Sequence, residues 1–129
     1  MNVGSIVHNG YRMTSAELAE LIAQAAVDKK ARDVVTIDLR NKTTLTDFFV
    51  VCEGDTDRQV RAIVENVTDT CKKNGVRALS VIGMDDATWA CADLDSVILH
   101  VLLPGERSFY DLEGLWEGMP QNEDLTAQG

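Results

Sequence analysis

One segment near the middle of the chain limits the possible folds more than any other. It is the apolar run Phe48-Phe49-Val50-Val51-Cys52, which follows Asp47 and shows no alternation with polar residues. Such a run is typical of a strand that is buried on both faces of a sheet. Gly54-Asp55-Thr56 ends this strand and supplies a helix cap. The next stretch has an apolar stripe at helical spacing, made by Val60, Ile63, Val64, Val67 and Cys71.

Residues 78–82 have the composition of another strand, so the centre of the chain predicts a strand-helix-strand unit. Crossovers of this kind join parallel strands, and nearly all of them are right-handed. We therefore expect an α/β protein in which the helix of residues 56–75 covers one face of the sheet.

Further elements are predicted on both sides of this unit. Thr14 and Glu17 have the spacing of a capping box, which predicts a helix that ends near Lys29 and Lys30. Residues 34–39 alternate and predict a strand with Val35, Ile37 and Leu39 on one face. Two further strands, 89–92 and 97–103, are close enough for a hairpin, and a last helix is predicted around residues 109–115. The order α-β-β-α-β-β-β-α describes a mixed sheet of about five strands covered by helices.

At 129 residues the chain has the length of one domain. We expect a flexible extension over residues 1–12, a single domain over 13–118 and a disordered tail over 119–129. Three cysteines without CxxC spacing do not predict a disulfide framework and make a zinc cluster improbable, which favours a reducing cytoplasm. The chain shows no signal-peptide pattern and no apolar run long enough for a membrane span, so a cytoplasmic location is expected.

The net charge of −9 is distributed unevenly along the chain. Residues 1–80 hold 11 acidic and 11 basic side chains, whereas residues 81–129 hold 10 acidic side chains and one base, Arg107. A field of one sign attracts partners of the opposite sign. Phosphate binding requires Lys and Arg, so little or no direct nucleic-acid binding is expected from residues 81–129. The alternative to a surface that attracts a basic partner is an acidic surface that only keeps the protein soluble.

The pair Asp93 and Asp95 suggests one possible chemistry. On a strand, residues at i and i+2 point to the same face, and paired carboxylates can hold Mg²⁺ through the phosphates of a nucleotide. The alternative function is thus a divergent Mg²⁺-dependent nucleotidyltransferase that uses Asp93 and Asp95. No phosphate-binding glycine loop accompanies them, and a turn in which Asp accepts backbone hydrogen bonds is the simpler interpretation.

His100 is a second candidate for chemistry, as a base or a metal ligand. It lies alone in an apolar strand and has no nearby second histidine, which favours a packed, hydrogen-bonded residue. Cys52 and Cys91 lie in predicted strands, where a thiol behaves as a small apolar group.

The two tryptophans, Trp89 and Trp116, bracket a stretch with the composition of a binding surface. Trp, Tyr and Arg are enriched at binding hot spots. Arg107 and Tyr110 lie in this stretch together with Asp111 and Glu113. Aromatic anchors within an acidic field favour a protein-binding surface over an active site, although both rings could instead fill the core.

These residues carry a family likeness. The segments T-L-T-D-F-F-V-V at 44–51, V-I-L-H-V at 97–101 and, above all, R-S-F-Y-D-L-E-G-L-W at 107–116 resemble the ribosomal silencing factor family, also called RsfS or Iojap. The resemblance covers about residues 14–118. It departs from the family pattern at Asp55 and Asp57, and again at the turn Leu94-Asp95-Ser96.

The resemblance implies a fold similar to the nucleotidyltransferase core without catalysis, and no cofactor. It also implies a factor that binds the large ribosomal subunit through its fourteenth protein, at the intersubunit face. Bound there, the factor would block subunit association and repress translation under nutrient limitation. Homodimers are also implied. Carried over by position, the partner-binding residues are Trp89, Asp93, His100, Arg107, Tyr110, Asp111, Glu113 and Trp116.

Overall fold

The protein is described here by a computed structural model, which defines the backbone of residues 6–8 and 11–106 and the side chains from residue 13 onward. The described elements, in chain order, are β1 (Ile6–His8), β2 (Tyr11–Met13), α1 (Ser15–Asp28), β3 (Arg32–Asp38), β4 (Phe48–Glu53), α2 (Asp57–Lys73), β5 (Ser80–Ile82), β6 (Trp89–Asp93) and β7 (Val97–Leu102). The predicted α/β class and the five-stranded mixed sheet are confirmed. The similarity to a nucleotidyltransferase core stays a prediction.

The five-stranded sheet has the order β3-β4-β7-β6-β5. β4 and β7 are parallel neighbours, and the other three pairs are antiparallel. The predicted strand-helix-strand unit is present, and β5 runs in the same direction as β4. They are not adjacent, however, because the β6–β7 hairpin lies between them. The neighbours of a strand depend on tertiary packing, which a local pattern does not contain.

β1 and β2 form a separate antiparallel pair, which lies in the predicted extension except for Met13. The sequence pattern did not predict this hairpin. The helix predicted around residues 109–115 and the tail over 119–129 lie outside the described residues. Residues 104–106 are helical at the end of the described range.

The start of α1 follows the capping box expected from the sequence. The Thr14 side chain accepts from the Glu17 N–H, and the Glu17 carboxylate accepts from the Thr14 N–H. The end of the helix differs from the prediction. Lys29 is the C-cap and Lys30 adopts a left-handed φ of 66°, so neither lysine lies in the last turn.

Helix α2 matches its prediction closely. Thr56 is the N-cap, and the predicted apolar stripe is the buried one. The side chain of α2 residue Asn66 donates to Ala25 O of α1, and that of Gln59 donates to Lys29 O and Lys30 O, so the two helices run antiparallel. They cover the same face of the sheet and form the main core with Val50, Leu99 and Val101. No helix in the described part of the chain is long and apolar enough to cross a membrane.

Gly54 lacks a side chain, and this allows α2 to lie close to the end of β4. A Cβ atom at this position would lie 3.0 Å from the backbone nitrogen and the Cγ2 atom of Val60. Gly54 also donates its N–H to Leu102 O at 3.0 Å, which ties the end of β4 to β7. A larger residue here would push the first turn of α2 away from the sheet.

Candidate protein-binding face

The sheet has a second face, opposite α1 and α2, and the described candidate residues meet there. The strand register places Ile82, Cys91, His100 and Val51 in one row across β5, β6, β7 and β4. Side chains two residues apart on a strand share a face. Trp89 and Asp93 of β6 therefore lie on the same face as Cys91 and His100. We call this surface, with Phe49, Ile98 and Leu102, the second face.

His100 is the centre of the second face. It is only 9% exposed, and its ring meets that of Phe49 edge to face, with centroids 4.6 Å apart. The indole N–H of Trp89 donates to His100 Nδ1 at 3.1 Å. The Cys91 Sγ lies 3.3 Å from the same nitrogen. One imidazole thus orients the tryptophan ring and packs against the phenyl ring beneath it.

The hydrogen bond from Trp89 defines the protonation state of His100. An indole N–H only donates, so Nδ1 must accept, and the neutral ring carries its proton on Nε2. Nε2 is buried and has no hydrogen-bond partner among the described residues. Burial lowers the pKa of His100 from 6.5 to about 4, because a charged imidazolium is poorly solvated there. His100 is therefore neutral near pH 7 and holds a ring in place.

Cys91 is chemically quiet in this position. Burial raises the pKa of its thiol to about 12, so it stays protonated. Cys52 is buried in β4, on the helix-covered side. The interpretation of both cysteines as small apolar groups agrees with these positions.

Asp93 and Asp95 do not form the paired site that the spacing suggested. Strand β6 ends at Asp93, and Asp95 lies in the following turn with a φ of 77°. The Asp93 Oδ1 accepts the Asp95 N–H at 2.8 Å, and the Leu94 N–H donates to Val97 O at 2.9 Å. The premise that both carboxylates share one strand face is therefore wrong. Asp93 closes the hairpin, as the simpler interpretation expected.

The described residues also contain no larger donor set for a metal. Nowhere between residues 13 and 106 does a group of three or more His, Cys, Asp or Glu side chains converge. Leu94, the residue between the two aspartates, is fully buried on the helix side and anchors the turn. Asp95 is exposed.

Acidic side chains lie at both ends of the β6–β7 hairpin. Asp85 and Asp86 are exposed in the loop before β6, and Asp95 is exposed in the turn after it. The loop before β6 is held by Arg61 of α2, whose guanidinium donates to Met84 O at 2.8 Å and Asp85 O at 2.7 Å. The aromatic second face is thus flanked by carboxylates whose positions are set by the fold.

Five of the predicted partner-binding residues lie outside the described part of the chain: Arg107, Tyr110, Asp111, Glu113 and Trp116. The structure adds Phe49 and Ile98 to the face, neither of which sequence reasoning assigned to it. The signal that identifies them is register. Phe49 pairs with Ile98, and Ile98 with Asp93, so all three share a face once the order of the strands is known.

Comparison with known proteins gives consistent matches over most of the chain. A family model described as "Ribosomal silencing factor during starvation" matches residues 12–128. The "Ribosomal silencing factor RsfS" of Bacillus subtilis is 35% identical over 108 residues, which cover 84% of this chain and 92% of that protein.

Two more distant comparisons agree with this match. A mouse protein named "Mitochondrial assembly of ribosomal large subunit protein 1" is 30% identical over 128 residues, which span 97% of this chain and 54% of its own length. A crystal structure of a Chromobacterium violaceum protein superposes with a TM-score of 0.79 at 33% identity, covering 84% of this chain and 90% of that one.

Proposed function

This chain belongs to the ribosomal silencing factor family, and on that premise we propose that it represses translation by binding the large ribosomal subunit and blocking its association with the small subunit. The name of the mouse relative, which refers to assembly of the large subunit, supports the choice of subunit. The family names are those of regulatory factors, and the proposed role requires no chemical step.

The observation that carries this proposal is the composition of the second face. Trp89 is half-buried, and its ring orientation is held by the hydrogen bond to His100. An aromatic ring that is already oriented loses little conformational entropy on binding. Aromatic side chains of this kind dominate binding energy at protein interfaces.

The acidic side chains around this face favour a basic partner. Ribosomal proteins are generally basic, and complementary charge accelerates association and fixes orientation. Asp86 and Asp95, at opposite ends of the hairpin, supply part of this field. The fourteenth protein of the large subunit, at the intersubunit face, is the partner that the family resemblance implies, and we extend the contact to residues 107–116.

Inhibition would be steric. A domain of this length has a radius of gyration of about 13 Å, and two bodies cannot occupy the same intersubunit space. We place this activity in the cytoplasm and include a homodimeric form of the free protein. Nucleic acid and membranes are not proposed as partners.

Sedimentation of purified ribosomal subunits tests the proposal. At saturating protein and association-promoting Mg²⁺, we expect the coupled ribosome peak to fall and the protein to sediment with the large subunit. An undiminished peak, with protein bound or unbound, would contradict the steric mechanism. Protein recovered with the small subunit alone would contradict the choice of subunit.

A pair of variants locates the binding surface. Trp89→Ala removes the anchor of the second face, and we expect at least about tenfold weaker binding to large subunits, equivalent to a loss of about 1.4 kcal/mol. Val27→Ala is the matched control, because Val27 is 49% exposed on α1, on the other side of the sheet. Circular dichroism first establishes that both variants are folded. Equal affinity of folded Trp89→Ala and the parent would remove Trp89 from the site.

A further inference from the structure

Trp89, the anchor of the second face, is the first residue of β6. Among the described strands only β7 pairs with it, through Leu102. On the other side of β6, strand β5 ends two residues before it would reach Trp89, and residues 83–87 follow instead. The end of a strand opens more easily than its middle. The position of Trp89 therefore depends on how firmly residues 83–87 are held.

Residues 83–87, which we call the β5–β6 loop, lie directly against the backbone of Trp89. A Cβ atom added to Gly83 would collide with Trp89 O and would lie 3.0 Å from Ala90 Cα. Ala87 is fully buried with a left-handed φ of 56°, and it donates its N–H to Gly83 O at 3.0 Å. The loop is thus a compact turn, and a shift of the loop would displace Trp89.

Arg61 connects the β5–β6 loop to α2. Its Nε donates to Met84 O at 2.8 Å, and its Nη2 donates to Asp85 O at 2.7 Å. Its Nη1 donates to Asp57 Oδ2 at 2.8 Å, one turn earlier on the helix. All three nitrogens of one half-buried guanidinium are therefore engaged. A planar guanidinium holds several acceptors in one fixed geometry, which the compact ammonium of lysine does not.

We propose that Arg61 is a positioning residue for the second face, because it holds the β5–β6 loop beside Trp89 and so keeps this anchor in place for the ribosomal partner. The inference rests on the proposed function and adds to it a residue of α2, the helix that covers the other face of the sheet. An anchor whose backbone is already fixed loses less conformational freedom when a partner binds.

This role differs from that of His100. The hydrogen bond from the indole to His100 orients the ring, whereas the loop fixes the backbone from which the ring projects. A ring that is oriented on a mobile backbone still loses freedom on binding, so both contacts are needed. Thr88, the residue before Trp89, accepts the Leu103 N–H at 3.0 Å. Trp89 is therefore held from the β7 side by this bond and from the other side by the loop.

Order parameters of the free protein, measured by nuclear magnetic resonance, test the positioning of Trp89 without ribosomes. Arg61→Met removes the donors and keeps an apolar stem of similar length. Lys72→Met is the matched control, because it removes the same charge from an exposed position of α2. In Arg61→Met we expect the order parameters of the Trp89 backbone and indole N–H groups to fall from about 0.85 toward about 0.6. Val50, fully buried in β4, should keep its value, and Lys72→Met should match the parent.

A general loss of stability would not produce this result, because order parameters report motion within the folded state. Unchanged order parameters of Trp89 in folded Arg61→Met, or an equal fall at Val50, would overturn the proposal. Arg61→Lys keeps the charge and part of the hydrogen bonding, so it should show a smaller fall. It also serves as the test variant if Arg61→Met does not fold.

Binding to purified large subunits tests the consequence for function. Folded Arg61→Met should bind at least about fivefold more weakly than the parent, because ordering of the anchor is then paid on binding. Arg61→Lys should lie between the two, and Lys72→Met should bind as the parent does. Weaker binding by Arg61→Lys than by Arg61→Met, or equal losses in Arg61→Met and Lys72→Met, would overturn the proposal.

A double-mutant cycle determines whether Arg61 acts through Trp89. In the Trp89→Ala background there is no indole to position, so Arg61→Met should weaken binding by less than about a further twofold. A loss of the same size in both backgrounds would show that Arg61 acts elsewhere, and the proposal would fail.

The two proposals fail in different ways. If the parent does not bind large subunits, the proposed function fails, and the order parameters alone decide whether Arg61 positions Trp89. If the parent binds and folded Arg61→Met binds equally tightly, the positioning role is overturned and the proposed function stands.

Discussion

Lowering the pH should destabilise this protein through His100 before its carboxylates titrate. The imidazole is buried and neutral, with a pKa lowered to about 4, whereas in the unfolded chain it returns to about 6.5. Between these values the unfolded state binds more protons than the folded state. Stability from this group is therefore complete above about pH 6.5 and is lost as the pH falls toward 4.

The size of the effect follows from the two pKa values. One pKa unit corresponds to about 1.4 kcal/mol, so the full difference corresponds to about 3 kcal/mol. At pH 5, where most of the unfolded histidine is protonated and little of the folded one is, the loss is about 2 kcal/mol. That is a large share of the roughly 5–15 kcal/mol by which native proteins are stable.

Urea denaturation of the parent and of His100→Gln, at steps from about pH 7.5 to pH 4.5, measures this term. Gln does not titrate, and its side-chain oxygen can still accept the Trp89 N–H. At pH 7.5 the variant is expected to have a lower free energy of unfolding than the parent. Between pH 7.5 and pH 5 this difference between the two proteins should shrink by about 2 kcal/mol.

Taking the difference between parent and variant cancels the titration of the carboxylates and of His8, which both chains share. The reasoning about His100 fails if the two pH profiles run parallel. It fails equally if nuclear magnetic resonance of the folded parent shows the His100 ring titrating near pH 6.5.

Three predictions concern local structure, each measured as the free energy of unfolding in urea. Thr14→Ala removes the capping box and should cost about 1 kcal/mol, whereas the exposed Thr44→Ala should change stability by less than about 0.5 kcal/mol; equal effects would contradict the role of the cap. Ile63→Ala empties a fully buried site and should cost about 2–5 kcal/mol, whereas Val27→Ala on the exposed side of α1 should cost well under half as much. Asp95→Gly should be tolerated at a φ of 77°, whereas Asp95→Val should cost about 1–2 kcal/mol; a stabilising Asp95→Val would contradict the turn geometry.

Local signals predicted the two described helices, α1 and α2, well. The apolar stripe of α2 matches its buried residues because helix burial repeats every 3.6 residues, and that period is visible in the sequence. The capping box of α1 is equally local, since its two hydrogen bonds join residues three positions apart. The end of α1 was less predictable, because Lys29 and Lys30 suit either a last turn or a cap.

The candidate site was only partly predictable. Trp89, Asp93 and His100 were chosen from composition and family resemblance, and the structure places all three on the second face. The role of Asp93 in the turn could not be predicted. Residues at i and i+2 share a face only while both belong to one strand, and β6 ends at Asp93. Trp89 and His100 are eleven residues apart in sequence, and their contact depends on the pairing of β6 with β7.

By itself, the sequence determined the class of the fold, the helix α2, the β6–β7 hairpin and the family. These follow from periodicity and from motifs, which are properties of neighbouring residues. Only the tertiary structure decided that β7 is the parallel neighbour of β4 and that His100 is a buried neutral ring holding Trp89. Each of these depends on which distant segments lie side by side, and the energy that selects them comes from burial of the whole sheet.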